Sequence, residues 1–267
     1  MLCNKRSSLN YRIVLTIIIY VFLMCDLSFG QISPTERLAM LSKNFTSKDI
    51  PEIRSLLNSG ADINVQRSNG STPLFSAVAT NQIEIARLLL SKNANVNMKA
   101  GDGMTPLYIT SALGYTEIVR MLLAANADVN ASAKENTTAL HMAAGNGHKE
   151  IVELLINNKA NVNSTMSNGA TALLLAASQN QVIVVKTLLA AKADVNAAAT
   201  NGATPLHMAA KIGSKDIVVL LAEAGAKLDP KLIPNGKTPA DLAQQNGHTE
   251  VASFILARIL VNNLLTD

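Results

Sequence analysis

The sequence predicts an all-α protein: a solenoid of about seven stacked helix-turn-helix units with finger-like hairpin loops. Two motif series locked to one period predict it, together with a composition suited to close helix packing. The first series runs TPLFSAV from Thr72, TPLYITS from Thr105, TALHMAA from Thr138, TALLLAA from Thr171, TPLHMAA from Thr204 and TPADLAQ from Thr238. Its intervals are 33, 33, 33, 33 and 34 residues. The second series is GADIN (60–64), NANVN (93–97), NADVN (126–130), KANVN (159–163) and KADVN (192–196), in the same phase. Aromatic residues make up only 3% of the 267, with no Trp, so small side chains must fill the core. Alanine and leucine dominate, which suits helices that approach closely.

Residues 1–30 stand apart. Lys5, Arg6 and Arg12 precede the uncharged run IVLTIIIYVFLMC (13–25), and Ser28 and Gly30 are placed for cleavage before Gln31. This is the order of a secretory signal. The run falls short of the roughly 20 residues that span a bilayer, so a cleaved signal is favoured over an anchor. An uncleaved anchor would leave the rest of the chain outside the cytoplasm. Both cysteines, Cys3 and Cys25, lie here, so the mature chain has neither a disulfide framework nor a thiol nucleophile. Removing the segment lowers the net charge from +4 to +2, which gives no electrostatic case for nucleic acid. Sequons at Asn44, Asn69, Asn130, Asn136 and Asn163 are close to chance in a chain this rich in Asn, Ser and Thr.

Residues 31–66 keep the second half of a unit (EIRSLLNSGADIN, 52–64) but lack the Thr-Pro start, as an N-terminal capping repeat would. Residues 67–267 hold the full units, near 69–98, 102–131, 135–164, 168–197, 201–230 and 235–265, the last a C-terminal cap. In each, Thr caps free amides and Pro suits the first helical position. The first helix is short and Ala-rich. Gly114, Gly147, Gly213 and Gly247 mark the turn that follows, with Asn81 and Asn180 as substitutes. The second helix carries paired apolar residues at helical spacing, as in EIARLLL (84–90), EIVRMLL (117–123) and EIVELLI (150–156). One unit cannot bury its apolar face alone, so stability must come from stacking. The final segment EVASFILARILVNNLL (250–265) is expected to close the stack as an ordinary covered helix.

This period resembles the ankyrin repeat, and the resemblance covers almost everything after about residue 34. It implies Gly after each second helix, in a left-handed backbone. Here Gly60 and Gly225 stand at the ends, with Asn93, Asn126, Lys159 and Lys192 between them. Asn tolerates that conformation, whereas each Lys costs roughly 1–2 kcal/mol. The finger Asp common in the family is replaced by Arg67, Ala100, Ala133, Met166 and Ala199, which leaves the finger conformation less defined than the helices.

Enzyme signals are absent: no GxSxG, no GxxxxGK[ST], no GxGxxG after a strand and no HExxH. His141 and His207 occupy a position held elsewhere by Phe75, Tyr108, Leu174 and Asp241, so they read as structural pegs between turns rather than catalytic bases. Two units apart, they lie about 20 Å from each other at helix spacings of 8–10 Å. His148 and His248 read as turn residues. No metal or cofactor is implied. Carried over by position, the resemblance implies a concave binding surface of fingers and first helices, offering the small neutral residues Ser71, Thr137, Ala170 and Ala203 among others. The partner-binding candidates are Met104, Asp102, Leu113, Lys134, Glu135, Asn146, Gln179, Lys211 and Ile212. Met104, Leu113 and Ile212 stand out as apolar where solvent is expected. The column Ile109, Met142, Leu175, Met208 and Leu242 reads as helix-packing core.

The expected function is a monomeric, non-enzymatic scaffold for a protein partner, secreted or held in the periplasm or envelope of a bacterium. It touches a membrane only if the N-terminal segment is uncleaved. The alternatives are a host-directed secreted effector, a purely structural envelope component, and an enzyme whose best candidates are His141 and His207.

Overall fold

The computed structural model describes residues 32–266, so the signal-peptide reading of residues 1–30 lies outside the described residues. Among the described residues the structure is all-helical, with fourteen α-helices in seven pairs and no strands. The first pair is α1 (Pro34–Leu41) and α2 (Ile50–Asn58). Next come α3 (Pro73–Ala79) with α4 (Ile83–Ser91), and α5 (Pro106–Leu113) with α6 (Thr116–Ala124). The pairs α7 (Ala139–Gly145) with α8 (Lys149–Asn157) and α9 (Ala172–Ser178) with α10 (Val182–Ala190) follow. The last are α11 (Pro205–Ile212) with α12 (Lys215–Glu223), and α13 (Pro239–Gln245) with α14 (Thr249–Thr266).

Each first helix after α1 begins at a Thr cap. Thr72 Oγ1 accepts the Phe75 amide at 3.1 Å, and Thr105 the Tyr108 amide at 3.2 Å. Such a cap contributes about 1 kcal/mol over Ala. The core runs as columns along the stack. Leu74, Leu107, Leu140, Leu173 and Leu206 of the first helices are buried, as are Leu89, Leu122, Leu155, Leu188 and Leu221 of the second. Full burial of one such side chain is worth about 1.5–3 kcal/mol. Ala143–Ala144, Ala176–Ala177 and Ala209–Ala210 are also buried, and having no bulk they let neighbouring first helices touch. Small residues thus fill the space that large rings fill in other cores.

Asparagines join the units at the loop after each second helix. The side-chain oxygens of Asn64, Asn97, Asn130, Asn163 and Asn196 accept the backbone N–H of Asn95, Asp128, Asn161, Asp194 and Lys227, each at 2.8 Å. Exposed ion pairs add a second set of links between units, Arg87–Glu117, Arg120–Glu150 and Lys215–Glu250, while Arg37–Glu52 joins the two helices of the first pair. Pairs this exposed contribute little.

The left-handed positions fall where the repeat resemblance implies. Asn93 and Asn126 have φ 62, Lys159 φ 71 and Lys192 φ 66, with Gly60 and Gly225 at φ 84 and 87. One expectation is corrected. The last helix is covered on one face only: Val251, Ala252 and Ile255 are buried, but Leu256, Leu260, Val261 and Leu264 are 48%, 65%, 50% and 79% exposed. Hydropathy alone does not say whether a further helix lies over an apolar face.

Candidate functional site

The histidine position sits at the third residue of a first helix, where its side chain reaches back to the Thr cap. The backbone N–H of Thr138 donates to His141 Nδ1 at 3.2 Å, and His141 Nε2 donates to the Ser164 carbonyl of the next finger at 3.0 Å. His207 repeats this with Thr204 at 3.2 Å and the Lys237 carbonyl at 3.2 Å. A backbone N–H only donates and a carbonyl only accepts. Both rings are therefore neutral, with the hydrogen on Nε2. Burial pushes both below the ordinary histidine value, against the carbonyls, which favour the charged form. Asp241 makes half of the same set of bonds, since its Oδ2 accepts the Thr238 N–H at 2.8 Å. That bond, with the hydroxyl of Thr238, holds its carboxyl below the usual range. The shared role of His and Asp is acceptance of the cap amide. With both ring nitrogens engaged and the ring buried, these histidines act as pegs from one unit to the next.

His148 and His248 are turn residues of a particular kind. His148 Nε2 lies 3.2 Å from the Ala112 carbonyl. Its ring packs on Gly114 of the preceding unit, where an added Cβ would sit 2.7 Å from the ring. Gly114 also has φ +80, so space and backbone both call for glycine.

The fingers close without the missing Asp. Backbone N–H groups of Arg67, Ala100, Ala133, Met166 and Ala199 donate to the carbonyls of Ser71, Met104, Thr137, Ala170 and Ala203, at 2.8–3.0 Å. Asn69, Asn168 and Asn201 brace their own turns by accepting the amides of Ser71, Ala170 and Ala203. Neighbouring fingers are tied directly, by Gly101 N–H to the Asn69 carbonyl, Ser167 to Glu135, and Thr200 to Asn168. This corrects the assignment of Ser71, Thr137, Ala170 and Ala203 to the open surface. They are buried, because the residue that closes each finger precedes the cap Thr and is held beneath it. Met104 belongs to the same column and is half-buried for the same reason.

The other candidates divide by what holds them. Asp102 and Glu135 are exposed at finger tips in left-handed conformations, φ 54 and 58, beside exposed Lys134. For Glu135 that conformation costs roughly 1–2 kcal/mol, and Asn136 next to it is left-handed too, at φ 56. Leu113, Asn146, Gln179 and Ile212 form one column at the ends of successive first helices, with Lys211 just before it. Asn146 is exposed, but its amide donates to the Ala112 carbonyl at 2.8 Å, so that donor is committed to the stack. Gln179 and Lys211 face solvent. Leu113 is 44% exposed and Ile212 37%. The two lie three units apart along one edge, so they define a strip rather than a pocket. The column Ile109, Met142, Leu175 and Met208 is half-buried and Leu242 buried, between core and surface. Among the described residues no group of three or more His, Cys, Asp or Glu is gathered as a metal site.

The asparagine links were not visible in the sequence as functional residues. The signal that points to them is the invariant phase of Asn64, Asn97, Asn130, Asn163 and Asn196 within the second motif series.

The family model described as ankyrin repeats (3 copies) matches residues 42–133, 126–199 and 184–264, which together span nearly all of the described chain. No curated protein matches the chain.

Proposed function

Because the chain belongs to the ankyrin-repeat family, whose repeats are generally protein–protein interaction modules, we propose that it is a non-enzymatic scaffold that binds a protein partner on its finger and first-helix surface. The observation that carries this reading is the exposure of Leu113 and Ile212 at equivalent ends of α5 and α11. Apolar side chains at a solvent-facing column raise the free energy of the unbound surface, and a partner that covers them recovers it. The finger tips support the same face. Glu135 and Asn136 hold consecutive left-handed conformations that present Lys134 and Glu135 outward, and strain of this kind persists where the surroundings over-determine it.

The scaffold acts outside the cytoplasm, in the periplasm or envelope of a bacterium or beyond it. The basic-then-apolar order of residues 1–30 and the absence of cysteine after Cys25 support that location. The test is a Leu113→Glu/Ile212→Glu double variant expressed in the native host, with crosslinking and mass spectrometry of the bound protein. Both side chains are exposed, so circular dichroism should match the parent. Loss of the partner from the variant is expected; full retention places the binding surface elsewhere.

A further inference from the structure

We infer that α14 is a self-association surface, on which a second copy of this chain lays its own α14 antiparallel across a two-fold axis near Leu260. Leu90, Leu123, Ile156, Leu189 and Ala222 occupy one position of successive second helices, and each is partly buried against the core. Leu256 holds that position in α14 and is 48% exposed. It presents the same kind of surface that the chain covers with a neighbouring helix at every earlier step.

Length and polarity then select the occupant. α14 has 18 residues, while every other α-helix among the described residues has nine or fewer. Its second half therefore extends past its own unit, carrying Leu260, Val261 and Leu264 at 65%, 50% and 79% exposure. Among the described elements only another α14 matches both the length and the apolar stripe. The opposite end of the stack does not. There Met40 and Ile32 are exposed, but beside Glu36 and the Arg37–Glu52 ion pair. Head-to-tail stacking would set those charges against leucine and leave half of α14 uncovered.

The stripe is self-complementary. Leu256, Leu260 and Leu264 are spaced by four residues on one helix face. Antiparallel pairing about Leu260 sets Leu260 against its counterpart and Leu256 against Leu264 of the second copy, an isologous contact that closes. Arg258 is the one charge between residues 251 and 264. At about 100° per residue it lies roughly 160° round the helix from Leu260, off the seam, so the contact buries no charge. Among the described residues no helix is long and apolar enough to cross a membrane.

The test uses the full chain with Cys3→Ser and Cys25→Ser, so that an added cysteine is the sole thiol. Leu260→Cys should give a disulfide-linked dimer on mild oxidation. Leu264→Cys alone should not, because antiparallel pairing separates the two copies by about 12 Å along the helices, beyond the ~7 Å that a disulfide tolerates. Mixing Leu256→Cys with Leu264→Cys should restore the crosslink. In sedimentation equilibrium the parent should be dimeric. Leu260→Glu/Leu264→Glu, with unchanged circular dichroism, should weaken association by about a hundredfold or more. Several results overturn the inference: a parent monomeric throughout, Leu260→Cys that crosslinks no better than Ile183→Cys on α10, Leu264→Cys that crosslinks by itself, or open-ended oligomers. Binding of α14 to anionic lipid vesicles in place of self-association also overturns it.

Discussion

Lys159 and Lys192 offer the sharpest test of how the backbone of this stack is strained. Each follows a second helix with φ 71 and 66, and each side chain is at least partly open to solvent. The local bonds hold the backbone there: Lys159 N–H donates to the Ile156 carbonyl at 2.9 Å, and Ala160 N–H to the Leu155 carbonyl at 2.9 Å. The same site in the terminal units carries Gly60 and Gly225, and a Cβ there would meet nothing within 4 Å. Room is therefore not the constraint. The cost lies in the left-handed backbone, roughly 1–2 kcal/mol for each Lys. Replacement by Gly removes it but adds freedom to the unfolded chain, which returns about 0.5–1 kcal/mol. The net gain is about 0.5–1 kcal/mol per site. The double variant Lys159→Gly/Lys192→Gly should therefore melt about 2–8 °C above the parent, given 2–4 °C per kcal/mol at this chain length. Scanning calorimetry or thermal circular dichroism reads the shift, with Lys159→Asn and Lys192→Asn expected to lie between. An unchanged or lowered melting temperature would mean that the lysines are not strained and that their left-handed backbone carries no cost.

Two further predictions concern buried polar groups. The Ser111 hydroxyl on α5 is buried without a hydrogen-bond partner, where the neighbouring units carry Val78, Ala144, Ala177 and Ala210. An unsatisfied buried group costs about 1–3 kcal/mol, so Ser111→Ala should raise the urea midpoint at unchanged slope; a lower midpoint means that the hydroxyl has a partner. His141 and His207 should make the stack acid-sensitive. Their folded values lie below the ordinary 6.5, so the unfolded chain binds more protons. Stability is full above that value and is lost as pH falls through it towards the lowered folded values. His141→Leu, which copies Leu174 in the next unit, should flatten the stability profile as pH falls below the ordinary 6.5. Asp241 acts lower, because its depressed carboxyl keeps its contribution until pH falls below the ordinary 3.8. A wild-type slope retained in His141→Leu/His207→Leu would assign the acid sensitivity to other groups.

The architecture was legible because it is written locally and repeatedly. Thr72, Thr105 and Thr171 cap the helices they precede, and the left-handed residues include Asn81, Asn180, Lys159 and Lys192 where the turn pattern puts them. Such marks depend on a few neighbouring residues. The asparagine links depend on contacts 31 residues away, and from sequence each Asn looks like one more surface amide. Ser71 and Ala203 are small and neutral, so composition does not separate a buried finger base from an open tip. Met104 stands in that same column and is half-buried, whereas Leu113 and Ile212 lie beyond it and are exposed. The bare face of α14 depends on what stacks beyond it, a property of assembly rather than of local pattern.

Site-specific photocrosslinking in the native host reads the partner surface directly, from probes at Leu113 and Ile212 on the first-helix edge and at Ile183 on the second-helix α10. Ile183 is 63% exposed, so accessibility favours it over either of the others. Partner capture from 113 and 212 but not from 183 is the predicted result. Capture of the same partner from 183, with none from 113 or 212, would contradict the binding surface proposed for this stack.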